Sequence, residues 1–334
     1  MIRLIKTGAE ALVAHLSFFA SSGAKKTRGS FLASLSVLAG SNVVLGGPVS
    51  LPPVNLGQTS FEDGVANPGW FFEEITEFYH AGQFNDSDGA KIPGDNELTT
   101  VSAITHLSYL SHYKLLGGYI GAETLVPLVD ADLNTSFATH QREQGVGDLI
   151  ISPFMLQWND CKLFGRPFFQ RFDLDLVVPT GKYSSDRSLN IGNNVVSVNP
   201  YYAFTIFPTS KFEFSGRLHY LWNSENDSPY EELHAGSIQP GQAFHANFAA
   251  SYEVLPRLRV GMSGYALQQF TNDKINGKSV AKSEERVFGI GPGLAYNQDN
   301  SQDKLWFTLN GYFETGAENR QEGIGVVLRI SLAF

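Results

Sequence analysis

The sequence predicts an all-β protein, a transmembrane antiparallel β-barrel of about twelve strands. Three observations support this fold class. Apolar and polar residues alternate with a period of two along most of the chain after Trp70. Long polar connections between the alternating stretches are separated by short ones, as outer loops and periplasmic turns are in such barrels. Charged residues make up only 17% of the 334 residues, whereas soluble domains contain about 25%.

The composition argues against several other classes. After the N-terminal region there is no run of about 18 or more apolar residues, so no membrane-spanning helix is predicted there. The net charge of −9 argues against nucleic acid as a partner, which would require a basic surface. One cysteine, Cys161, excludes an internal disulfide framework. Neither a metal-binding histidine spacing nor a dinucleotide loop occurs, so we predict no metal and no cofactor.

Residues 1–45 are predicted to be a signal or targeting region. Lys25 and Arg28 precede an uncharged apolar run over residues 30–45. This order of a basic and then an apolar region is typical of a secretory signal. Small residues favour cleavage near positions 39–47.

The barrel is predicted to occupy residues 70–334. In its last strand, Ile324, Val326 and Leu328 share one face, and Arg329 and Ser331 share the other. An apolar face toward lipid and a polar face toward the interior suit a transmembrane barrel. A soluble β-sandwich is the fold alternative, because one strand cannot distinguish the two. The predicted strands cover residues 70–82, 98–111, 115–127, 145–158, 166–178, 195–207, 211–223, 241–254, 257–270, 284–297, 304–315 and 323–334.

The polar strand faces predict which side chains line the channel. They carry both signs of charge together with two histidines. A charged interior tunes selectivity in barrels that pass water-soluble molecules. A general diffusion porin for small polar solutes is therefore one functional alternative. The predicted lining residues are Arg171, Asp173, Asp175, Arg217, His219, His245, Arg259 and Arg329.

Residues 46–69 are predicted to form an extended plug inside the barrel. Four prolines in this stretch disfavour both a helix and a central strand. A mobile tail is the alternative, since chain termini are often poorly ordered. Its acidic side chains are expected to pair with the inward arginines at 171, 217, 259 or 329. The candidate plug residues are Leu51, Val54, Leu56, Phe61, Glu62 and Asp63.

Three prolines fall inside predicted strands. Pro153, Pro200 and Pro292 each remove a hydrogen-bond donor from the ladder, although a closed barrel has no edge to accommodate them. One interpretation is a bulge that bends the strand. The other is a weak seam in the wall, through which an apolar molecule passes sideways into the membrane.

Several stretches carry a family resemblance: DGVANPGWFF at 63–72, GVGDLIISPFMLQW at 145–158, VVPTGKY at 177–183, NIGNN at 190–194 and the closing strand. They resemble outer-membrane channels associated with phenol meta-pathway degradation, a group that includes a sphingosine-uptake porin. The resemblance implies a twelve-stranded barrel, an N-terminal segment that occludes the interior, and uptake of hydrophobic or amphipathic small molecules across the bacterial outer membrane. Asp148 matches the central motif and joins the three strand prolines as a candidate for the lateral opening.

The expected partners follow from this function. They are membrane lipids and lipopolysaccharide, a hydrophobic small-molecule substrate, and the outer-membrane assembly machinery, which would recognise a C-terminal strand that ends at Phe334. A monomer is expected, and nucleic acid is not. A second alternative is an outer-membrane phospholipase, because His106 and Ser108 share one strand face. No third group to orient the histidine is evident, so we predict that the protein is not an enzyme.

Overall fold

The computed structural model describes residues 49–136, 138–299 and 304–334. The predicted signal region, residues 1–45, and its cleavage site near 39–47 lie outside the described residues. Within the described part of the chain, no helix is long and apolar enough to cross a membrane.

Antiparallel strands account for most of the described residues, and a single turn of 3-10 helix occurs at Glu231–Leu233. Every predicted strand overlaps an observed one. The strands of the described residues are β1 (Gly69–Phe84), β2 (Glu97–Leu115), β3 (Gly118–Thr135), β4 (Ala138–Val146), β5 (Leu149–Leu163), β6 (Arg166–Val178), β7 (Ser197–Ile206), β8 (Phe212–Asn223), β9 (Ile238–Gln239), β10 (Ala243–Leu255), β11 (Leu258–Gln269), β12 (Lys274–Ile275), β13 (Lys278–Ser279), β14 (Arg286–Asp299), β15 (Lys304–Glu318) and β16 (Gln321–Ala333).

The long strands form one sheet that closes on itself. The first strand, β1, pairs with the last, β16, and β2 pairs with both β1 and β3. Both β4 and β5 pair with β3 and are separated by Gly147 and Asp148, so together they act as one strand of the wall. Counted this way, the described residues form a closed barrel of twelve antiparallel strands, as the sequence predicted. Closure leaves no open edge, which a sheet in lipid requires.

The two ends of the barrel differ in their connections. Long loops at 85–96, 179–196, 224–242 and 270–285 lie at one end, which we call the outer end. Short strands β9, β12 and β13 form a small sheet there. The predicted alternation of loop lengths is incomplete, because only Asn319 and Arg320 join β15 to β16 at this end. Both strands extend outward instead of leading into a loop.

The strand faces separate lipid-facing from interior side chains. On β16, Ile324, Val326 and Leu328 are 42–46% exposed, whereas Val327 and Arg329 are buried at 1% and 6%. The same alternation of exposed apolar and buried residues recurs on β7 and β10. The apolar exterior contacts membrane lipid, and the closed barrel is that of a bacterial outer-membrane protein.

Candidate functional site

The N-terminal segment, residues 49–68, contacts interior side chains along the length of the barrel. Near the outer end, the backbone N–H of Leu51 donates to Glu285 Oε1 at 2.7 Å. Glu285 also pairs with Arg320 at 3.1 Å. The segment packs against inward apolar side chains through Leu51, Val54 and Leu56. We call the part of the interior that contains these contacts the outer half. The apolar partners include Ile75, Ile104, Leu125, Leu221, Leu267, Val287 and Val327.

At mid-height, the segment is held between strands on different parts of the wall. The N–H of Gly57 donates to Asn247 Oδ1 at 2.8 Å, and Asn247 Nδ2 donates to the carbonyl of Asn55 at 3.0 Å. The Tyr312 hydroxyl donates to the carbonyl of Gly57 at 2.8 Å. Gly57 has a φ of +74°, and a Cβ there would lie 2.9 Å from the Tyr312 ring, so only glycine fits.

Toward the periplasmic end, ion pairs replace the apolar contacts. Arg217 binds Asp63 in a two-pronged arrangement, with N–O distances of 2.6 and 3.0 Å. Arg171 lies 3.8 Å from the same carboxylate, and Arg259 lies 3.1 Å from Glu62. These side chains define the periplasmic half of the interior. Their pairing brings together two predicted plug acids and three predicted channel-lining arginines.

A cavity of about 750 Å³ opens between the segment and the wall in the periplasmic half. Its lining mixes apolar residues, such as Phe61 of the segment, with the ionisable side chains Glu73, His106 and Arg329. Arg329 lies 3.8 Å from Glu73, so it contacts a strand acid and not a segment acid. The space that remains beside the segment is therefore lined by both apolar and ionisable groups.

Two predicted lining histidines stack on one another in the middle of the wall. The ring centroids of His219 and His245 are 4.0 Å apart, and Tyr201 stacks beyond His219 at 4.9 Å. His245 Nε2 lies 3.1 Å from Asn199 Oδ1. Neither ring nitrogen of His219 has a hydrogen-bond partner among the described residues.

All three strand prolines lie where a backbone ladder is interrupted. Around Pro153, the register shifts against both neighbouring strands, β3 and β6. The β7–β8 pairing stops after Val198 and resumes at Tyr201, which skips Pro200. The β14–β15 pairing likewise skips Pro292. The missing proline N–H accounts for each interruption.

The interruption at Pro200 coincides with an apolar pocket on the lipid-facing wall. The pocket measures about 620 Å³, and His219 and His245 also border it. Its remaining lining comes mostly from outward positions of β6, β7, β8, β10 and β11. These residues include Phe172, Tyr202, Leu218, Tyr220, Phe244 and Ala266.

Asp148 anchors an outer loop at the break between β4 and β5. Its carboxylate accepts hydrogen bonds from the N–H of Gly181 at 2.9 Å and from the N–H and Nδ2 of Asn193 at 2.8 and 3.0 Å. The side chain thus joins the loop after β6 to the wall. Asp148 is separated in sequence from Pro153 only by the first residues of β5.

A buried acid also lies in the outer loops. Asp273 Oδ1 accepts from the N–H of Gly241 at 2.8 Å and from Gln269 Nε2 at 2.7 Å, but its Oδ2 has no partner among the described residues. Burial raises the pKa of Asp273 to about 7, and the charge of Glu285 adds to the effect.

The geometry around His106 does not assemble a hydrolase triad. Its Nδ1 lies 3.4 Å from Glu73, and its Nε2 lies 3.0 Å from Glu123. Both ring nitrogens therefore face carboxylates. Among the described hydrogen bonds, none joins His106 to Ser108, the serine that the phospholipase alternative requires.

Several residues that hold the N-terminal segment are not among the predicted lining residues. Asn247 and Tyr312 bind it at mid-height, and Glu285 binds it near the outer end. Asn247 and Tyr312 lie at inward positions of predicted strands, so strand alternation could have identified both. The prediction selected mainly charged residues and histidines from these faces, which is why uncharged hydrogen-bonding groups were missed.

Comparison with known families gives one match over most of the chain. Residues 81–330 match the family described as "Putative MetA-pathway of phenol degradation". The chain belongs to this family. The resemblance noted from the sequence motifs is confirmed. A search of curated proteins finds no match.

Two solved structures resemble this chain, and the first supports the fold. An outer-membrane channel from Pseudomonas putida F1 superposes with a TM-score of 0.70 and 18% identity, over 81% of this chain and 97% of that chain. The transport unit of the autotransporter AIDA-I from Escherichia coli gives a TM-score of 0.49 and 11% identity, over 79% and 89% of the two chains. At these identities, the likeness to the Pseudomonas channel concerns the fold alone.

Proposed function

We propose that the protein is an outer-membrane channel for uptake of hydrophobic or amphipathic small molecules. The observation that carries this proposal is the division of the interior. Apolar side chains around Leu51, Val54 and Leu56 line most of the outer half, beside the single ion pair of Glu285 with Arg320, whereas the segment's own ion pairs lie in the periplasmic half. An apolar molecule gains free energy by entering the first region and loses it by entering the second.

The N-terminal segment acts as the plug in this proposal. Its hydrogen bonds to Glu285, Asn247 and Tyr312 and its ion pairs with Arg217 and Arg259 support a closed resting state. Phe61 adds a bulky side chain to the lining of the periplasmic cavity. Ordering such a segment costs conformational entropy, which these contacts offset.

The exit in this proposal is lateral. A molecule in the outer half that does not cross the ion pairs leaves through the wall into lipid. The wall is weakest where ladder bonds are missing, at Pro153, Pro200 and Pro292. Pro200 is the favoured exit among these, because an apolar pocket lies on the lipid side of the same interruption. Asp148 would hold the nearby outer loop in place while the wall opens.

A general diffusion porin remains the second candidate, favoured by the ionisable side chains that line part of the periplasmic cavity. The predicted lining residues differ in their availability for this role. Arg171, Arg217 and Arg259 already face acids of the segment. A polar solute that passes the segment would therefore not find these three arginines free to bind it. The fold relative with a TM-score of 0.70 is an outer-membrane channel, and the proposal assigns no reaction to this chain.

The proposed partners other than membrane lipid rest on the sequence. Outer loops would contact lipopolysaccharide. The assembly machinery would recognise β16 and Phe334, whose N–H and carbonyl pair with Trp70. The barrel closes within a single chain, which supports a monomer.

The test compares two solutes in a host strain that lacks its own major porins. Expression of the chain should accelerate entry of labelled toluene and leave entry of labelled arabinose close to that of the empty host. Faster entry of arabinose together with unchanged entry of toluene would favour the porin and contradict the proposal. Heat-modifiable migration in detergent gels checks that the barrel is folded in each preparation.

A further inference from the structure

Three carboxylates converge in the middle of the wall. Glu123 lies on β3, and Asp173 and Asp175 lie on β6. One oxygen from each side chain lies within 4.8 Å of the others. Asp173 and Asp175 are 0% and 1% exposed. The intervening strand, β5, contributes Ser152, whose hydroxyl donates to Asp175 Oδ1.

The described hydrogen bonds leave one of these carboxylates incompletely satisfied. The Tyr201 hydroxyl lies 3.0 Å from Asp173 Oδ2 and 3.3 Å from Glu123 Oε1. His106 Nε2 lies 3.0 Å from Glu123 Oε2. Asp173 Oδ1, in contrast, has no hydrogen-bond partner among the described residues, although the side chain is fully buried. A buried acceptor without a hydrogen-bond partner costs free energy of folding, so a ligand is expected to bind at Asp173 Oδ1.

No arginine is bonded to Glu123, Asp173 or Asp175 among the described contacts. Arg217 and Arg171 lie 2.6 and 3.8 Å from Asp63 instead. The ring of Tyr201 lies beside both guanidinium groups, with centroid distances of 4.5 and 5.6 Å. His106 is the one basic side chain that a described contact brings to the cluster, 3.0 Å from Glu123. Asp173 and Asp175 have no such partner, so burying all three carboxylates as anions without a bound cation would be unfavourable.

We propose that Glu123, Asp173, Asp175 and the Ser152 hydroxyl bind one Ca²⁺ ion. All four ligands offer oxygen, which Ca²⁺ and Mg²⁺ prefer. Protein-supplied carboxylates with irregular spacing favour Ca²⁺, because Mg²⁺ requires near-octahedral geometry and keeps several waters. Ligand oxygens about 2.4 Å from one ion lie no more than about 5 Å apart, in keeping with the observed cluster.

The ion would connect three strands where the backbone ladder is irregular. The β3–β5 register shifts between Gly121 and Glu123, and the β5–β6 register shifts between Ile151 and Met155. Both shifts adjoin Pro153. A cation here replaces missing backbone bonds by side-chain coordination. The site does not depend on the transport proposal. Only Asp173 and Asp175 lie close together in sequence, so no local metal motif marks the site.

Calcium binding to the full mature chain, folded in detergent, tests the site. After dialysis against EDTA, Ca²⁺ is titrated up to about 1 mM, the weak end of protein calcium sites. One ion should bind per barrel, and Asp175→Asn should weaken binding at least about tenfold. The matched control, Asp88→Asn in an exposed outer loop, should bind like the wild type. A wild type that binds no ion overturns the proposal, and so does a folded Asp175→Asn variant with unchanged affinity.

Terbium luminescence locates the ion even if Asp175→Asn fails to fold. Tb³⁺ in the site would be excited by Tyr201, whose hydroxyl contacts two of the ligands. Tyr201→Phe should lower the sensitised emission several-fold at unchanged Tb³⁺ content. Tyr296→Phe, at a lipid-facing position, should leave it unchanged. Equal emission from the Tyr201→Phe variant and the wild type would place the ion elsewhere and reject this site.

Discussion

The outer and periplasmic halves of the interior hold the same segment by different forces. In the outer half, Leu51 and its neighbours contact apolar side chains, and the nearby acid Glu314 accepts hydrogen bonds from Tyr79 and Tyr265. In the periplasmic half, Asp63 pairs with arginines. Apolar contacts are non-directional, so an apolar substrate can replace them. It cannot replace a buried ion pair, which depends on charge and geometry.

This difference suggests that substrate loosens the outer part of the segment while the periplasmic part stays anchored. A molecule that has displaced Leu51 and Val54 then lies at the height of the interrupted ladder near Pro200. In this proposal the outer part of the segment responds to substrate, and the periplasmic part is a fixed barrier. A change in the outer half can therefore be compared with a change in the periplasmic half or at an exposed site.

Removal of the segment should have the largest effect. Deletion of residues 49–61 takes away the apolar contacts and the mid-height hydrogen bonds, so ion conductance should increase to that of an open pore. Single-channel recording in planar bilayers measures this. Deletion of the exposed β12–β13 hairpin, residues 274–279, should leave conductance unchanged. An unaltered conductance after deletion of 49–61 would show that the segment does not close the pore.

Breaking the periplasmic anchor should have the next largest effect. Asp63→Ala leaves Arg217 and Arg171 buried without their shared acid, so the free energy of unfolding should fall by about 3–5 kcal/mol. Urea unfolding in detergent measures the change. The exposed pair of Asp88 and Lys282, at 2.9 Å, provides the control, because Asp88→Ala breaks a solvent-screened ion pair and should leave the free energy of unfolding almost unchanged. Equal losses in both variants would mean that the buried pair is no anchor.

Truncation in the outer half should be milder. Leu51→Ala removes apolar contacts and should destabilise docking of the segment by about 2 kcal/mol. Limited proteolysis should then cleave the segment faster, whereas the periplasmic ion pairs remain. Leu116→Ala, in a turn where the side chain is 81% exposed, should have no effect. If Leu51→Ala destabilises as much as Asp63→Ala does, the two halves do not differ in the way described.

The outer loops should show a smaller, pH-dependent effect. Because the folded pKa of Asp273 is raised to about 7 from 3.8, the folded state holds a proton that the unfolded loop releases. Stability of the loop is therefore greatest below about pH 4, declines by at most about 1.4 kcal/mol per pH unit, and levels off above about pH 7. Protease protection measured from about pH 4 to about pH 7, the window between the unfolded and folded pKa values, reports the trend. An identical trend in Asp273→Asn would assign it to another group.

The barrel was largely predictable because lipid imposes a period of two on each strand. Strand β6 was predicted at 166–178 and observed as Arg166–Val178. The polar stretch 138–144, which belongs to β4, was missed. Its polar sequence, THQREQG at 139–145, provides no apolar face for alternation to reveal.

The site was predictable only in part. Strand alternation identifies Arg217 as inward, and composition identifies Asp63 as a plug acid, but neither specifies that they pair across 154 residues. The same limit applies to Asn247, which lies 190 residues from Gly57. Such contacts depend on the register between the segment and the wall, which no local pattern encodes.

A reversible lock across the proposed exit tests the central claim most directly. Asn199→Cys with Leu221→Cys, in a Cys161→Ser background, leaves Pro200 in place and puts two thiols at facing positions of β7 and β8 within the interruption, where Cβ atoms of such pairs are about 5 Å apart. Tyr202→Cys with Leu218→Cys is the control on the intact ladder of the same strands. Oxidation should abolish toluene entry through the first variant, reduction should restore it, and the control should transport in both states. Undiminished entry through the oxidised Asn199–Leu221 variant would contradict lateral exit at this seam.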